Sequence, residues 1–395
     1  MDMKHTVIAV FTMAVLVLLT SCEKNGVSQK DKVFSEIEGV PSGNPAAFLV
    51  TDDQKETLAT LRDIKGGHLY VMDYTADYKL DELMAGGGAS SSLELSEKVL
   101  ANLLSLPVTK AGVGMDYGCS AFCAKSPEGD VIVGRNFDYR FRSSANVVVR
   151  DLFSDTHESM CISAMPYLGE KYVAGSLSDG KTDISIPAIA SVYCCLDGMN
   201  DAGLFIGVLS LRGGGAIQRD SKKSNIVPSL AIRLSLDSCS TVDEAVNMFR
   251  NHNFYADGEE SENNYHFLIA DASGKSVVLE YYRPGEGAPV KDPKAKDWTL
   301  NVLNEDHVTN FYLSEGWQSL GVGQNRYDII HNRLQEKNRV LTEDEAMDLL
   351  QDVMQLLNPE ELTSNTQWSV VYNLTKRTAI VCVDKDYNTK LHFKL

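Results

Sequence analysis

Apolar positions recur every three to four residues at about Leu93 to Leu104, Pro228 to Leu236, Val242 to Asn251, Arg326 to Glu336 and Asp344 to Leu357, which predicts helices there. Two of these stretches open with capping boxes, Thr241-Val-Asp-Glu244 and Thr342-Glu-Asp-Glu345. Shorter runs rich in branched and aromatic residues predict strands at Cys119 to Lys125, Val131 to Tyr139, Asn146 to Arg150, Gly203 to Leu209 and His266 to Ala270. Further strands are predicted at Ser276 to Tyr282, Trp298 to Leu303, Trp368 to Asn373 and Thr378 to Val383. Many of these runs join through short turns, Ser273-Gly274 and Lys376-Arg377 among them, so antiparallel hairpins are favoured over a parallel sheet and the fold class is α+β. Gly86-Gly87-Gly88 and Gly213-Gly214-Gly215 read as flexible loops, and no internal repeat is visible.

The N-terminus follows a different pattern. Lys4 and His5 precede an apolar run of 13 residues, Val7 to Leu19, which is shorter than the roughly 20 residues a helix needs to cross a bilayer and reads as an export signal. It ends in Leu19-Thr20-Ser21-Cys22, which resembles a bacterial lipoprotein signal whose cysteine carries the lipid; cutting by the ordinary secretory peptidase is the alternative. The lipoprotein reading places the chain outside the cytoplasm, held to a bacterial membrane, on its periplasmic side or at the cell surface, by that lipid alone. Residues 23–45, rich in Lys, Glu, Ser, Gly and Pro, read as a tether.

Composition narrows the class. With 395 residues and 44% hydrophobic content the chain is globular, long enough for one large domain or several small ones. Its 37 basic and 54 acidic residues give a net charge of −17, which repels phosphate backbones and sets nucleic-acid binding aside. The eight cysteines are Cys22, Cys119, Cys123, Cys161, Cys194, Cys195, Cys239 and Cys382. Their spacing argues against a dense disulfide framework, and Cys161, Cys194, Cys195 and Cys382, in apolar strand-like runs, read as small buried hydrophobes. No cluster has zinc spacing, and Asp384-x-Asp386-x-Asn388 lacks the glycine and closing Glu of a calcium loop, so no metal site is read. Gly321-Val-Gly323 has Arg326 where a dinucleotide fingerprint needs glycine.

The informative segment runs from Gly118 to Tyr139. Ser126-Pro127-Glu128-Gly129 is a turn signal between two strand-like runs, and pairing outward from it sets Cys119 opposite the stretch Arg135 to Asp138. A thiol, a guanidinium and a carboxylate thus meet at the open end of one hairpin. Arg135 and Asp138 are three apart, so a regular strand points them to opposite faces, and a bulge or the strand end must turn one inward.

Cys119, with Arg135 sixteen residues later and Asp138 nineteen later in Gly-Arg-Asn-Phe-Asp, resembles the choloylglycine hydrolase family of N-terminal-nucleophile amidases. That family includes bile salt hydrolases and penicillin V acylases and, more distantly, acid ceramidase and N-acylethanolamine-hydrolysing acid amidase. The resemblance continues through Asp197-Gly-Met-Asn-Asp-Ala-Gly-Leu204, the run from Asn264 to Glu280, Thr309-Asn310 and Asn325-Arg326, covering Cys119 to the C-terminus. It implies a four-layer αββα sandwich, two antiparallel sheets between helices. It also implies a division into a signal at 1–21, a tether and helical prosegment at 22–118 and an amidase domain at 119–395.

The implied chemistry suits a cysteine. A thiol titrates near 8.5 and needs a base, whereas an α-amine titrates at about 7.7 to 8, so an N-terminal cysteine carries nucleophile and base together. Exposing that amine requires cleavage between Gly118 and Cys119, and glycine tolerates the distorted peptide through which the thiol attacks. The resemblance makes Cys119 the nucleophile, its α-amine the base and then the acid, Arg135 the group that lowers the thiol pKa and Asp138 the holder of the ammonium. Asn310 is a candidate oxyanion donor, and Arg326 completes the charge cluster. No cofactor is needed. Asn200 reads as shaping the Asp197-Gly198 turn, and His266 as a packed strand histidine.

Two departures bear on the substrate. Ser210 stands where bile salt hydrolases carry asparagine and penicillin V acylases tyrosine, as a candidate oxyanion or substrate contact. The 96 residues between Cys22 and Cys119 are similar to the acid ceramidase and N-acylethanolamine amidase arrangement, in which the cleaved segment stays bound as a subunit. The expected substrate is a small-molecule N-acyl amide, a fatty acyl ethanolamide or an acyl amino acid. A bile salt hydrolase or penicillin V acylase is the alternative within the family, and a lipoprotein that binds an acyl or steroid ligand without turnover the alternative outside it. Homo-oligomerisation stays open.

Overall fold

A computed structural model describes residues 51–104, 117–139, 143–168, 172–176, 185–257, 263–284, 298–357 and 365–395. The export signal, Cys22 and the tether lie outside the described residues. From the N-terminal side come α1 (Asp52–Ala59), β1 (Arg62–Asp63), β2 (Leu69–Tyr74), α2 (Leu80–Ala85), α3 (Ser92–Leu104), β3 (Tyr117–Lys125), β4 (Val131–Tyr139), β5 (Asn146–Asp151), β6 (Ser159–Ala164) and α4 (Ser185–Ala190). There follow β7 (Cys195–Asn200), β8 (Phe205–Arg212), β9 (Asn225–Ile226), α5 (Pro228–Ser238), α6 (Val242–Asn251), β10 (Asn253–Phe254), β11 (Asn263–Ala270), β12 (Ser276–Tyr282) and β13 (Thr299–Leu303). The chain ends with β14 (His307–Val308), β15 (Asn310–Phe311), β16 (Gly321–Val322), α7 (Gln324–Glu336), α8 (Glu343–Asp352), β17 (Thr366–Asn373), β18 (Thr378–Val383) and β19 (Leu391–Lys394).

Two large sheets organise these elements: nine strands in the order β1-β2-β5-β6-β7-β8-β11-β12-β13 and six in the order β14-β3-β4-β17-β18-β19. Side-chain alternation shows how they stack, because successive strand residues face opposite ways. Arg135 of β4 reaches Asp197 of β7, whereas its neighbour Asn136 donates to the Leu350 carbonyl of α8. Gly198, next to Asp197, lies against Leu236 of α5. The sheets therefore face each other, with α5 behind one and α7 and α8 behind the other, the expected αββα order. Under α7 and α8 a core of Phe122, Ile132, Leu334, Leu349, Leu350 and Val371 fills the outer face of the smaller sheet, and Cys382 packs there as a small hydrophobe.

Several boundaries differ from the sequence pattern. The last predicted helix stops at Asp352 rather than Leu357. The box at Thr342 forms in full, with Glu345 taking the Thr342 amide at 2.9 Å. At Thr241 the threonine caps Glu244, but Glu244 reaches back to Ser240 instead. Asp197-Gly198 lies inside β7; the turn is at Asp201-Ala202, and Asn200 shapes it by accepting the Leu204 amide. Cys161 and Cys195 are joined in a disulfide between β6 and β7, a pairing that depends on strand neighbours and that local apolarity does not show. Gly88 is no free loop residue: at φ +69 it bridges Asn225, whose carbonyl leaves no room for a Cβ.

The segment ahead of Cys119 contributes strands as well as helices. β2 joins the larger sheet parallel to β5, Leu69 opposite Asn146 through Tyr74 opposite Asp151, and Leu69, Met72 and Tyr74 are fully buried. Just beyond, the Tyr78 hydroxyl lies 2.8 Å from Asp151 and 2.7 Å from Asp237, beside the buried Arg233. One hydroxyl hydrogen cannot fully serve two ionised carboxylates, which favours an extra proton on the cluster at acidic pH. Burial pushes Asp237 up to about 6, against the pull of Arg233 and with the push of Asp151. A carboxyl whose folded pKa is raised stabilises the fold fully below its ordinary pKa, and that contribution is lost as pH rises through the folded value. The thermal midpoint of the full chain is therefore expected to lose stability from this group between about pH 4 and pH 7. Asp237→Asn, neutral at every pH, flattens that decline, and melting curves of both proteins across the range check it.

Candidate active site

The hairpin that carries the site forms as its turn dictates. Gly129 takes φ +92, its amide returns to the Ser126 carbonyl at 2.9 Å, and β3 pairs with β4 without interruption from Lys125 opposite Val131 to Tyr117 opposite Tyr139. Cys119 is opposite Phe137 and Gly118 opposite Asp138, within the expected window. Gly118, Cys119, Phe137 and Asp138 are all buried.

Arg135 and Asp138 do face different ways, and no bulge in β4 reconciles them. The bulge lies in β17, where the register shifts between Thr366 and Trp368. Arg135 enters the layer between the sheets, with Nε 3.3 Å from Asp197 and Nη2 donating to the Val208 carbonyl at 2.6 Å. It also hydrogen-bonds towards the Cys119 sulfur. Asp138 turns to the helical side, where its carboxylate accepts from Thr366 at 2.6 Å and Gln355 at 2.5 Å and lies 3.8 Å from Arg326. The backbone of Asp138 faces the thiol. Strand alternation thus assigns the guanidinium to the sulfur and the carboxylate to Arg326.

Residues from two distant segments close around the Cys119 backbone. Asn310 Oδ1 accepts the Cys119 amide at 2.6 Å and Arg326 Nη2 at 2.9 Å, which fixes the orientation of the side-chain amide, since both partners are donors. Its Nδ2 donates to the Ser210 carbonyl at 2.9 Å. Asn310 thus holds the Cys119 nitrogen, and Ser210 reaches the site through its backbone. Arg326 Nη1 donates to the Cys119 carbonyl at 2.5 Å and Ser120 Oγ at 2.7 Å. Gly321-Val-Gly323, rejected as a nucleotide motif, has a packing role. Gly321 at φ +104 pairs with Phe311, where a Cβ would strike the Asn310 carbonyl, and Gly323 at φ +94 leaves room for the Arg326 guanidinium.

Burial pushes the Cys119 thiol up to about 11; Arg135 opposes this and the Asp138 carboxylate adds to it. Burial also raises Asp138, against Arg326, Thr366, Gln355 and Arg135. With residue 118 attached, the Cys119 nitrogen is an amide and no base. All five sequence-predicted residues, Cys119, Arg135, Asp138, Asn310 and Arg326, therefore meet at one place.

Sequence reasoning passed over Asp197, which accepts from Trp368 Nε1 at 3.1 Å and the Tyr372 hydroxyl at 2.6 Å besides Arg135. Burial raises its pKa against the pull of Arg135. Its position in the second resembling run was the available signal. Gln355 and Thr366 carried none.

A buried cysteine with a guanidinium at its sulfur, an acceptor at its nitrogen and a donor at its carbonyl thus lies between the two sheets of an αββα fold. Residues 119–303 match the model of the linear amide C-N hydrolases, choloylglycine hydrolase family, and the match begins at Cys119 itself. Over those 185 of its 395 residues the chain resembles that family of enzymes, which act on carbon–nitrogen bonds other than peptide bonds. No curated protein sequence matches the chain. A mutant of conjugated bile acid hydrolase from Clostridium perfringens is similar at 16% identity over 70% of this chain and 92% of its own, with a TM-score of 0.47. Penicillin V acylase from Agrobacterium tumefaciens is similar at 15% identity over 70% and 85%, TM-score 0.41. The N-acylethanolamine-hydrolyzing acid amidase ortholog of Caenorhabditis elegans is similar at 16% identity over 70% and 100%, TM-score 0.38.

Proposed function

We propose that this protein is a cysteine N-terminal-nucleophile amidase that hydrolyses the linear amide bond of N-acyl amides, fatty acyl ethanolamides or acyl amino acids, after cleaving itself between Gly118 and Cys119. The observation that carries the reading is the convergence of Arg135, Asn310 and Arg326 on the sulfur, nitrogen and carbonyl of one buried residue, Cys119. In the maturation step the thiol adds to the Gly118 carbonyl, the C–N bond breaks, and the acyl group passes to sulfur while the nitrogen becomes a free amine. Water then hydrolyses the thioester, returning the thiol and leaving a Gly118 carboxylate. In turnover the α-amine takes the thiol proton, the thiolate attacks the substrate carbonyl, and the ammonium protonates the departing amine. A water activated by the same amine releases the acyl group.

The segment ahead of Cys119 is proposed to stay bound after cleavage, supported by the burial of β2 in the larger sheet and by the Tyr78 cluster. A lipid at Cys22 is proposed to hold the protein to a bacterial membrane outside the cytoplasm, supported by Val7 to Leu19 and Leu19-Thr20-Ser21-Cys22. Among the described residues no helix is long and apolar enough to cross a membrane. Substrate class is tested by comparing oleoylethanolamide with taurocholate. The reading expects the neutral fatty amide to be the better substrate by kcat/KM, because the net charge of −17 disfavours an anionic conjugate. Faster hydrolysis of taurocholate would make the enzyme a bile salt hydrolase instead.

A further inference from the structure

We infer that His266 and Glu280, outside the cluster around Cys119, form a charged positioning pair that sets Asn310 against the Cys119 nitrogen; the inference rests on the amidase reading for its catalytic consequence. The two residues are opposite each other on β11 and β12 and are fully buried. His266 Nδ1 is 3.1 Å from Glu280 Oε1, and Nε2 is 2.6 Å from the Thr309 carbonyl. A carbonyl oxygen can only accept. Glu280 is an acceptor too: its Oε1 takes the Leu313 amide at 2.8 Å, and its Oε2 takes the Ser314 amide at 2.9 Å and the Ser314 hydroxyl at 2.6 Å. A carboxyl that accepts from two backbone amides and a hydroxyl is held as a carboxylate, below its usual range despite burial. Both imidazole nitrogens therefore carry hydrogens, and His266 is an imidazolium.

The pair grips one short stretch of backbone at both ends. Thr309 is tied by the imidazolium and Leu313-Ser314 by the carboxylate, and between them Asn310 presents Oδ1 to the Cys119 nitrogen and to Arg326. Thr309 is further anchored through its hydroxyl to the Gly323 carbonyl at 3.0 Å, at the start of the helix that bears Arg326. A buried ion pair is weak evidence for stability, since desolvation offsets much of the attraction. Its gain is geometric: charge-assisted bonds are short and directional, and they hold the 309–314 stretch where a neutral pair would let it shift. His266 is thus a positioning residue and not a member of the reacting set.

The test uses two readouts. In the uncleaved Cys119→Ala full-length chain, hydrogen exchange at the residue-119 amide is expected to quicken about tenfold or more on adding His266→Gln, with β18 exchanging as before. In the cleaving enzyme, His266→Gln is expected to lower kcat roughly tenfold to a hundredfold with KM changed less than about twofold. The double variant with Glu280→Gln should be no slower than the slower single one. Unchanged exchange at residue 119 overturns the pair, as does loss of thermal stability with kcat intact, which would make it only a structural ion pair. If Glu280→Gln fails to fold, His266→Gln carries both readouts alone. A wild-type protein that hydrolyses no N-acyl amide sinks the amidase reading, and the exchange experiment still decides the clamp.

Discussion

Cys119→Ala is expected to leave the chain undivided and without amidase activity, with kcat down by on the order of 10⁴-fold or more. The same sulfur performs both reactions in this account, so both disappear together. The fold should survive, because removing one buried sulfur costs only about 1–2 kcal/mol of packing, and the Asn310 and Arg326 contacts to this residue are to its backbone. Cys119→Ser keeps a nucleophile without the thiol's reactivity and should cleave and turn over much more slowly. Gel mobility, a melting curve and product release with an N-acyl amide read these outcomes together. A Cys119→Ala protein that still releases amine would remove Cys119 from the chemistry.

Arg135→Met is expected to be the most destabilising single change at the site, by about 3–5 kcal/mol, because it leaves Asp197 buried without its cation. Trp368 and Tyr372 would still donate to that carboxylate, but neither neutralises it. Adding Asp197→Asn removes the orphaned charge and should restore much of the stability, which urea denaturation measures. Activity should not return with stability. Arg135 is the foremost group opposing the burial that raises the Cys119 thiol, so the double variant is expected to fold yet stay slow, with its alkaline rate limb moved upward. A double variant with wild-type kcat would make Arg135 purely structural.

Those two residues also show how far the sequence reached. The turn at Ser126 to Gly129 sets the register of its hairpin locally, so the meeting of Cys119 with the Arg135 to Asp138 stretch was legible before any tertiary contact. Strand alternation even announced the conflict between Arg135 and Asp138; what it could not supply was the partner on each side. Asp197 sits 62 residues from Arg135 and meets it only because two sheets stack. Gln355 and Thr366 meet Asp138 where a loop after α8 passes the end of β17. Non-local pairing hid the remaining features in the same way. The Cys161–Cys195 disulfide follows from β6 lying beside β7, and β2 becomes a sheet strand only because β5 accepts it. Asn310 and Arg326 were found through short resembling motifs, and their contacts to the Cys119 backbone follow from the tertiary fold.

The central claim is that a peptide bond inside β3 is opened to make Cys119 an N-terminal residue. Intact mass with N-terminal sequencing of the active protein tests it most directly. The account predicts a 277-residue chain, 119–395, beginning with cysteine, accompanied by the segment that ends at Gly118. A single undivided chain that hydrolyses N-acyl amides at full rate would contradict it.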